Sequence, residues 1–266
     1  MPKLSIITIN YNNKIGLEKT IESVINQTDK DFEYVIIDGN SNDGSKEVLE
    51  KYKNQIDIAV SEPDTGIYNA MNKGILLANG EYLLFLNSGD NLFSPEVIEL
   101  VLPCLHSEDV ISGNLEFVGE STIIGQTPEK ISFEKMVTDT LWHPCSFIKK
   151  EAFKKYSLYD EGLKICADWK WFLLGFFKNG LTYKHLEQTI STFYIDGISS
   201  KLENKTIIKK ERESVLQQEF ISRKIFKNEV RENQRIKRII GLLKKNHWLK
   251  LGLFKVYKWL KTRINL

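Results

Sequence analysis

Apolar runs alternate with amphipathic segments through the first hundred residues of the chain. Four runs rich in β-branched and aromatic residues are typical of buried strands, and a helical pattern follows each of them. The predicted strands are Leu4–Asn10, Phe32–Asp38, Ile56–Ser61 and Tyr82–Leu86, and the predicted helices are Ile15–Asn26, Ser45–Tyr52, Ile67–Ala78 and one from Pro95 to near Leu105. Strands of this kind with helical crossovers predict an α/β fold with a mostly parallel sheet covered by helices.

The pattern changes after Val110, where shorter strands and helices predict a mixed extension of the same sheet. The predicted strands there are Val110–Phe117, Ser146–Lys149 and Thr182–Tyr194, and the predicted helices are Phe133–Thr138, Lys150–Tyr156 and Ala167–Asn179. Beyond Ser200 the pattern is helical throughout. We therefore expect one α/β domain over residues 1–200 and a helical extension over residues 201–266.

Three of the predicted strands end in polar residues. Leu4–Asn10 is followed by YNN, Phe32–Asp38 by GNSNDGS, and Tyr82–Leu86 by NSGD. Ligands of open α/β sheets bind beyond the carboxyl ends of the strands. The sequence therefore predicts a nucleotide site at this edge, with Asp90 placed to bind a divalent cation that grips a diphosphate. Neither a P-loop nor a GxGxxG motif follows the first strand.

Each acidic residue near these strand ends also has a structural interpretation. Asp38 accepts hydrogen bonds from a base or ribose, or it forms a turn or caps the next helix. Asp64 lies beside a phosphate-binding helix start, or it caps the helix that begins at Ile67. Asp90 binds a cation, or it caps the helix at Pro95, although four residues separate them.

Two further residues are candidates for chemistry in the second half of the chain. Asp168, in ICADWKWFL, precedes a strongly apolar pattern and is either a general base at the wall of a cleft or a helix cap. His143, in LWHPCSF, is a metal ligand, a phosphate contact or a core histidine. The other histidines show no metal-ligand spacing with it.

Charge is distributed unevenly along the 266 residues, although the whole chain carries only +2. Residues 201–266 contain 19 Lys or Arg against 6 Asp or Glu, a net +13, which leaves −11 for the first two hundred residues. The segment 235–266 combines ten basic residues with Trp, Phe, Leu and Ile and has no acid. This composition predicts an interfacial helix on an anionic membrane. A helix packed on the body and a nucleic-acid patch are the alternatives, and we expect no nucleic-acid partner.

Three widely spaced cysteines, no signal-peptide pattern and no apolar run of about 20 residues predict a cytoplasmic protein. Together with the basic segment, they indicate a peripheral position at the inner face of the cell membrane. The sequence does not define an oligomeric state.

Taken together, the motifs resemble those of the family 2 glycosyltransferases with the GT-A (Rossmann-like) fold. The resemblance covers roughly residues 3–200. LSIITINYNN is similar to the opening strand and donor-binding turn, VIIDGNSNDGS to D-G-x-S-x-D-G-S, and LFLNSGD occupies the place of the DXD motif. EPDTGIYNAMNKGI resembles the version in bacterial exopolysaccharide and colanic-acid-type transferases, ICADWKWFL the catalytic-base segment, and FYIDGISS a late F-x-x-G-G-[IV]-S motif.

This resemblance implies roles on the donor side of a site. Thr8, Asn10 and Tyr11 would line the nucleotide, Asp38 would meet the uracil ring, and Asp64 would lie near the ribose or base. The implied donor is a nucleotide-diphosphate sugar, with UDP favoured over GDP or dTDP.

The resemblance also implies the remaining site residues and the reaction. Asp90 would coordinate Mg²⁺ or Mn²⁺ at the diphosphate, with His143 as a further donor or metal contact. Asp168 would deprotonate the acceptor hydroxyl, so that the anomeric configuration inverts. The implied acceptor is a glycan or lipid-linked saccharide in cell-surface polysaccharide synthesis.

The sequence departs from the family pattern at three positions. Asp90 is the only acid of its motif, Met71 stands where many relatives have Arg, and Asp196 replaces the first glycine of the late motif. A non-catalytic, membrane-docked module that binds a nucleotide sugar is therefore an alternative. A sugar nucleotidyltransferase is a second one, although the turn Tyr11–Asn13 is not the Gly-rich turn of that class.

Overall fold

The computed structural model describes residues 1–195 and 204–221. Its strands are β1 (Leu4–Asn10), β2 (Phe32–Asp38), β3 (Ile58–Ser61), β4 (Tyr82–Phe85), β5 (Asn91–Leu92), β6 (Val110–Val118), β7 (Thr122–Gly125), β8 (Ser146–Lys149) and β9 (Tyr183–Tyr194). Its α-helices are α1 (Lys14–Ile25), α2 (Ser45–Tyr52), α3 (Ile67–Leu77), α4 (Val97–Val101), α5 (Phe133–Thr138), α6 (Lys150–Lys155), α7 (Ala167–Phe177) and α8 (Lys205–Leu216). Short 3-10 turns occupy Leu102–Cys104 and His143–Cys145, and a π-helical turn occupies Gln217–Ile221.

The strands form one sheet in the order β3-β2-β1-β4-β8-β6-β9-β5, with β7 paired to β6. The first four of these strands are parallel. β8 runs antiparallel to both of its neighbours, and β6 is parallel to β9. The predicted mixed sheet flanked by helices is therefore confirmed. Its parallel half brings the carboxyl ends of β1, β2 and β3 side by side, because Asn10 pairs with Asp38 and Asp38 with Ser61.

The core lies against this parallel half. β1 and β4 are buried along their whole length, as expected for strands covered on both faces. α3 packs very closely on β1 at Gly74, where a Cβ would lie 2.5 Å from Cγ2 of Ile7. Glycine is therefore needed at position 74, and this close contact sets the distance between α3 and β1.

Several predicted boundaries differ from the structure. The helix expected from Pro95 to Leu105 is only α4, followed by a 3-10 turn, because Pro103 has no N–H to continue α-helical hydrogen bonding. The short strands β5 and β7 were not predicted. Both are held by pairing with distant residues, β5 with β9 and β7 with β6, and two to four residues carry little pattern of their own.

The chain divides into two units, Met1–Glu211 and Arg212–Leu266. The first contains the sheet. The predicted helical character after residue 200 is confirmed over Lys205–Ile221. Asp196 of the late motif and the basic segment 235–266 lie outside the described residues, so the predictions about them stay predictions. Among the helices that the structure describes, none has the length and apolar character that crossing a bilayer requires.

Candidate active site

A buried polar network joins the ends of the first three strands. Asp38 is fully buried. Its Oδ1 accepts hydrogen bonds from Nδ2 of Asn10 (2.8 Å) and Oγ of Ser41 (2.5 Å), and its Oδ2 from the Ser41 amide (3.0 Å) and Oγ of Ser61 (2.6 Å). Burial alone would raise the pKa of Asp38, but the bonds from Ser41, Ser61 and Asn10 together lower it. The ionised carboxylate therefore holds three strand ends together.

This burial bears on the predicted nucleotide contacts of β1 and β2. Thr8 is fully buried and its hydroxyl lies 3.1 Å from the Tyr34 hydroxyl, while Asn10 is 3% exposed and engaged with Asp38. The structural interpretation of Asp38, in which it organises its own loop, is what the structure shows. Direct contacts of Thr8, Asn10 and Asp38 with a nucleotide stay predictions, and this geometry gives these residues a supporting position beneath the surface.

Side chains join the turn that follows β1 to the turn that follows β2. Asn12 and Asn40 adopt left-handed backbone conformations, with φ of 48° and 62°, which Asn tolerates better than most residues. The Asn12 amide donates to Oγ of Ser41 (2.8 Å), and the Asn42 amide donates to Oδ1 of Asn12 (2.9 Å). The turn after β1 and the turn after β2 therefore form one rigid surface.

Tyr11 and Asp64 face this surface from two sides of Gly39. The Tyr11 side chain is 68% exposed. A Cβ on Gly39 would lie 2.5 Å from Oδ2 of Asp64 and 3.0 Å from Cδ2 of Tyr11, so a side chain at this position would displace the Asp64 carboxylate or the Tyr11 ring. An exposed aromatic ring beside a carboxylate is suited to a planar heterocycle that carries N–H groups. We refer to Tyr11, Gly39 and Asp64 as the base slot.

Asp64 does not cap α3, so the capping interpretation is wrong. The N-cap of α3 is Gly66, which has no side chain. The Gly66 amide donates a hydrogen bond to Oδ1 of Asp64 at 3.0 Å. Oδ2 is the oxygen that faces Gly39. The local turn therefore aims one oxygen of Asp64 at the base slot.

The loop that carries Asp90 is held against α1. Gly89 has a φ of 110°, in the region that favours glycine. Its amide donates to Oγ1 of Thr20 (2.9 Å), which in turn donates to the Asp90 carbonyl (2.8 Å), and Nδ2 of Asn13 donates to the Ser88 carbonyl (2.9 Å). The capping interpretation of Asp90 is wrong, because the N-cap of α4 is Glu96.

The oxygen atoms around Asp90 are of the type that a hard divalent cation prefers. In the part of the chain that the structure describes, Oδ1 of Asn87 and Oδ1 of Asn91 are buried without a hydrogen-bond partner, and the two residues stand three positions before and one position after the nearly buried Asp90. No group of three His, Cys, Asp or Glu suited to a metal occurs among the described residues. The donor set fits Mg²⁺ or Mn²⁺ if phosphate oxygens complete the coordination.

Asp168 is the second residue of α7, and Cys166 is the N-cap, so the capping interpretation of Asp168 is also wrong. The side chain of Asp168 is 21% exposed. Its Oδ1 accepts a hydrogen bond from the Tyr68 hydroxyl at 2.8 Å, and its Oδ2 lies 3.8 Å from Nδ1 of His143. A carboxylate anchored through one oxygen and partly open to solvent is suited to proton abstraction.

His143 belongs to the surroundings of Asp168. It is 7% exposed, Nε2 lies 2.8 Å from the Tyr159 hydroxyl, and its ring stacks on Phe85 at 5.3 Å between centroids. Burial lowers the pKa of His143, and the charge of Asp168 opposes this only in part, so the ring is neutral near pH 7. A metal contact by His143 stays a prediction that this geometry does not support, because both ring nitrogens face protein groups.

Phe85 connects the two halves of the site. It is the last residue of β4, the strand that leads into the Asp90 loop, and it packs against His143, which faces Asp168. These contacts place the start of α7 near the end of β4.

Sequence reasoning assigned no role to three residues of this region. They are Tyr68, which belongs to the EPDTGIYNAMNKGI motif, Tyr159 and Glu211. Glu211 of α8 accepts hydrogen bonds from the amides of Lys164 (2.7 Å), Ile165 (3.1 Å) and Cys166 (3.0 Å), just before α7. The contacts of these residues join segments 16 to 100 residues apart, and no local pattern reveals such pairs.

Comparison with known proteins identifies the family. The sequence profile of Glycosyl transferase family 2 matches residues 5–161. The chain belongs to this family. A glycosyltransferase of Mycobacterium tuberculosis, described as uncharacterized, is 32% identical over 178 residues, which cover 65% of this chain and 68% of the relative. A PGL/p-HBAD biosynthesis glycosyltransferase of Mycobacterium bovis is 24% identical over 218 residues, 79% of this chain and 84% of that one.

Solved structures confirm the fold. Staphylococcus aureus TarS (residues 1–349) in complex with UDP-GlcNAc has a TM-score of 0.64 at 18% identity, over 81% of this chain and 66% of that one. The mannosyltransferase PcManGT of Pyrobaculum calidifontis, in complex with GDP-Man and Mn²⁺, has a TM-score of 0.62 at 13% identity, over 94% of this chain and 70% of that one. The predictions of a GT-A fold and of a family 2 glycosyltransferase are confirmed.

Proposed function

We propose that this glycosyltransferase moves a sugar from a nucleotide-diphosphate donor to an acceptor hydroxyl with inversion of the anomeric configuration. The observation that carries the proposal is the setting of Asp168, whose carboxylate is partly exposed and is anchored through Oδ1 to the Tyr68 hydroxyl of α3. A base in such a position takes the proton of an alcohol that approaches from the cleft. The proposal rests on Asp168 rather than on His143, because Nε2 of His143 is buried against Tyr159.

The donor nucleotide is proposed to bind in the base slot. The exposed ring of Tyr11 offers a stacking surface, and Oδ2 of Asp64 is an acceptor for a base N–H. A uracil ring presents one such N–H beside two carbonyl oxygens, so UDP is the favoured nucleotide. The solved relatives are complexes with UDP-GlcNAc and with GDP-Man, and GDP-sugars are therefore the second class to test.

Asp90 and the amide oxygens of Asn87 and Asn91 would hold Mg²⁺ or Mn²⁺ at the diphosphate. A bound cation of this kind neutralises the charge that builds on a departing phosphate. The residues of the chain contribute the position: Thr20 and Asn13 fix the loop that carries Asp90. The loop thus has its shape before the diphosphate arrives, which lowers the ordering cost of binding.

The transfer step then proceeds as follows. The acceptor oxygen forms a bond to the anomeric carbon, and the acceptor proton moves to Asp168. The bond between the anomeric carbon and the diphosphate oxygen breaks, and the nucleoside diphosphate leaves with the electron pair. Because the acceptor and the leaving group lie on opposite faces of the sugar, the configuration inverts.

The acceptor is proposed to be a glycan or lipid-linked saccharide in cell-surface polysaccharide synthesis. Support comes from the basic, aromatic-rich sequence of residues 235–266, which suits a peripheral position on the anionic inner face of a membrane. An acceptor carried on a lipid is presented at that surface.

The proposal is tested by release of nucleoside diphosphate from a panel of UDP- and GDP-sugars with Mn²⁺. We expect the substitution Asp168→Asn to lower the rate roughly 10²- to 10⁴-fold and to leave thermal stabilisation by the donor unchanged. Equal release by Asp168→Asn and wild type with every acceptor would support the non-catalytic binding module instead. Release of pyrophosphate would indicate a nucleotidyltransferase.

A further inference from the structure

Tyr68 lies at the centre of the contacts around Asp168. It is the second residue of α3 and is 5% exposed. Its hydroxyl is 2.6 Å from the Ile165 carbonyl and 2.8 Å from Oδ1 of Asp168. Both partners are acceptors, and a phenol has one proton. The two acceptors therefore compete for the same donor.

The ionised carboxylate wins this competition, because hydrogen bonds to charged acceptors are about twice as strong as those to neutral ones. Tyr68 itself stays protonated, since burial and then the charge of Asp168 raise the pKa of its hydroxyl well above 10. Oδ1 of Asp168 is thus occupied by a permanent donor.

Oδ2 has a different environment. It accepts no hydrogen bond from any residue within the described ranges, and Nδ1 of His143 is 3.8 Å away. The titratable groups that face the carboxylate are Tyr68 from α3, His143 from its 3-10 turn and Tyr159 from the loop before α7. Burial raises the pKa of Tyr159 well above its ordinary value and lowers that of His143, so all three are uncharged near pH 7.

The second acceptor of the Tyr68 proton is itself held in place. The amide of Ile165, together with those of its two neighbours, is bound by the Glu211 carboxylate. The Tyr68 hydroxyl therefore donates to Asp168 while it lies against the Ile165 carbonyl of a segment that Glu211 anchors. The bond from this fixed hydroxyl restricts the rotation of the carboxylate.

We propose that Tyr68 is a positioning residue: its hydroxyl holds Oδ1 of Asp168 and leaves Oδ2 as the oxygen that takes the acceptor proton. This inference rests on the proposed function of Asp168. When the proton arrives on Oδ2, the carboxyl group becomes neutral, and the Ile165 carbonyl then competes with Oδ1 for the Tyr68 proton on more equal terms. The orientation that matters for catalysis is that of the ionised carboxylate, which Tyr68 holds before proton transfer.

The test compares Tyr68→Phe with Tyr82→Phe. Tyr82 is fully buried and its hydroxyl also bonds to two carbonyl oxygens, those of His106 (2.7 Å) and Glu108 (2.8 Å), at the opposite end of β4. Nucleoside diphosphate release is measured with UDP-GlcNAc, UDP-glucose and GDP-mannose in Mn²⁺. We expect Tyr68→Phe to lower kcat roughly 10- to 100-fold with donor KM unchanged, and Tyr82→Phe to leave both unchanged.

Two further readouts separate positioning from a loss of packing. The acid limb of the pH–rate profile moves to higher pH in Tyr68→Phe, because the ionised base has lost a donor. 3-Fluorotyrosine at position 68, a stronger donor that keeps the hydroxyl and nearly the same ring size, moves the limb to lower pH. In the Asp168→Asn background, Tyr68→Phe has no additional effect on kcat.

The proposal is overturned if Tyr68→Phe matches Tyr82→Phe in kcat and pH profile, or if its effect adds fully to that of Asp168→Asn. Failure of the proposed function gives a separate result, in which Asp168→Asn alone retains the wild-type rate. If Tyr68→Phe is unfolded at the assay temperature, the fluorotyrosine variant decides, since an unmoved acid limb then overturns the proposal.

Discussion

The clamp formed by Glu211 makes a quantitative prediction about stability. Its carboxylate accepts three hydrogen bonds from consecutive amides at the start of α7, where a negative charge also interacts favourably with the helix dipole. The substitution Glu211→Gln retains one acceptor oxygen. If that oxygen keeps the hydrogen bonds from the Ile165 and Cys166 amides, the NH₂ group of the substituted side chain faces the Lys164 amide. The hydrogen bond from Lys164 is then lost, and the other two have a neutral acceptor in place of a charged one.

Hydrogen bonds to charged groups contribute about 1.5–3 kcal/mol each and neutral ones about 1 kcal/mol. Because Glu211 is partly exposed, the lower values apply, and we expect Glu211→Gln to destabilise the protein by about 2 kcal/mol. At about 2–4 °C per kcal/mol for a chain of this size, Tm should fall by about 4–8 °C. The measurement is thermal unfolding followed by circular dichroism.

The matched control is Glu151→Gln on α6, whose side chain is 70% exposed and lies 3.6 Å from Lys154. Surface ion pairs of this kind contribute little, so its Tm should stay within about 1–2 °C of wild type. We also expect Glu211→Gln to lower kcat, since the clamped segment carries Ile165 and leads into Asp168. A Tm equal to that of the control would refute the clamp, because water would then satisfy the three amides equally well.

Three other perturbations test separate parts of the molecule. Tyr11→Ala removes the exposed ring of the base slot and should weaken binding of the stabilising nucleotide about 10-fold in calorimetry; unchanged affinity contradicts the base slot. Folding lowers the pKa of His143, whereas the unfolded chain has the ordinary histidine pKa of about 6.5. The unfolded chain therefore binds a proton more readily than the folded protein, and the free energy of unfolding decreases as the pH falls below about 6.5. In urea unfolding between pH 7 and 5, the stability of His143→Phe should depend less on pH than that of the wild type. An equal pH dependence in the two proteins would contradict this role of His143. Truncation after residue 226 should abolish co-sedimentation with anionic vesicles and preserve donor binding, whereas retained sedimentation excludes a membrane role for the removed segment.

Much of the parallel half of the sheet was predictable from the sequence. β1 and β2 have the predicted bounds, because each is a run of β-branched and aromatic residues with a sharp polar end. The same rule located the Asp90 loop at the end of β4. Hydrophobic periodicity and the polar residues at strand ends are local properties of the sequence. Because ligands of α/β sheets bind beyond the strand ends, these local properties are enough to predict where a site lies.

What the sequence did not reveal depends on contacts between distant residues. Tyr68 and Asp168 are 100 positions apart, and nothing in either motif indicates that they bond. The burial of Asp38 could not be anticipated either, because it requires both Asn10 and Ser61 to reach the same carboxylate. Capping interpretations of Asp64, Asp90 and Asp168 failed for a shared reason: proximity to a helix start does not determine which residue takes the cap position.

The network around Asp38 has a consequence for how the protein behaves without a donor. The Ser41 amide donates to its carboxylate, and the Glu62 amide donates to its carbonyl at 3.0 Å, so both amide protons are hydrogen-bonded within the protein. Their exchange with deuterated solvent should be slow from the outset and change little on adding a nucleotide sugar. The hydrogen-bond network of Asp38 would then be complete at the end of folding, and any ordering caused by a ligand would be confined to groups outside this network.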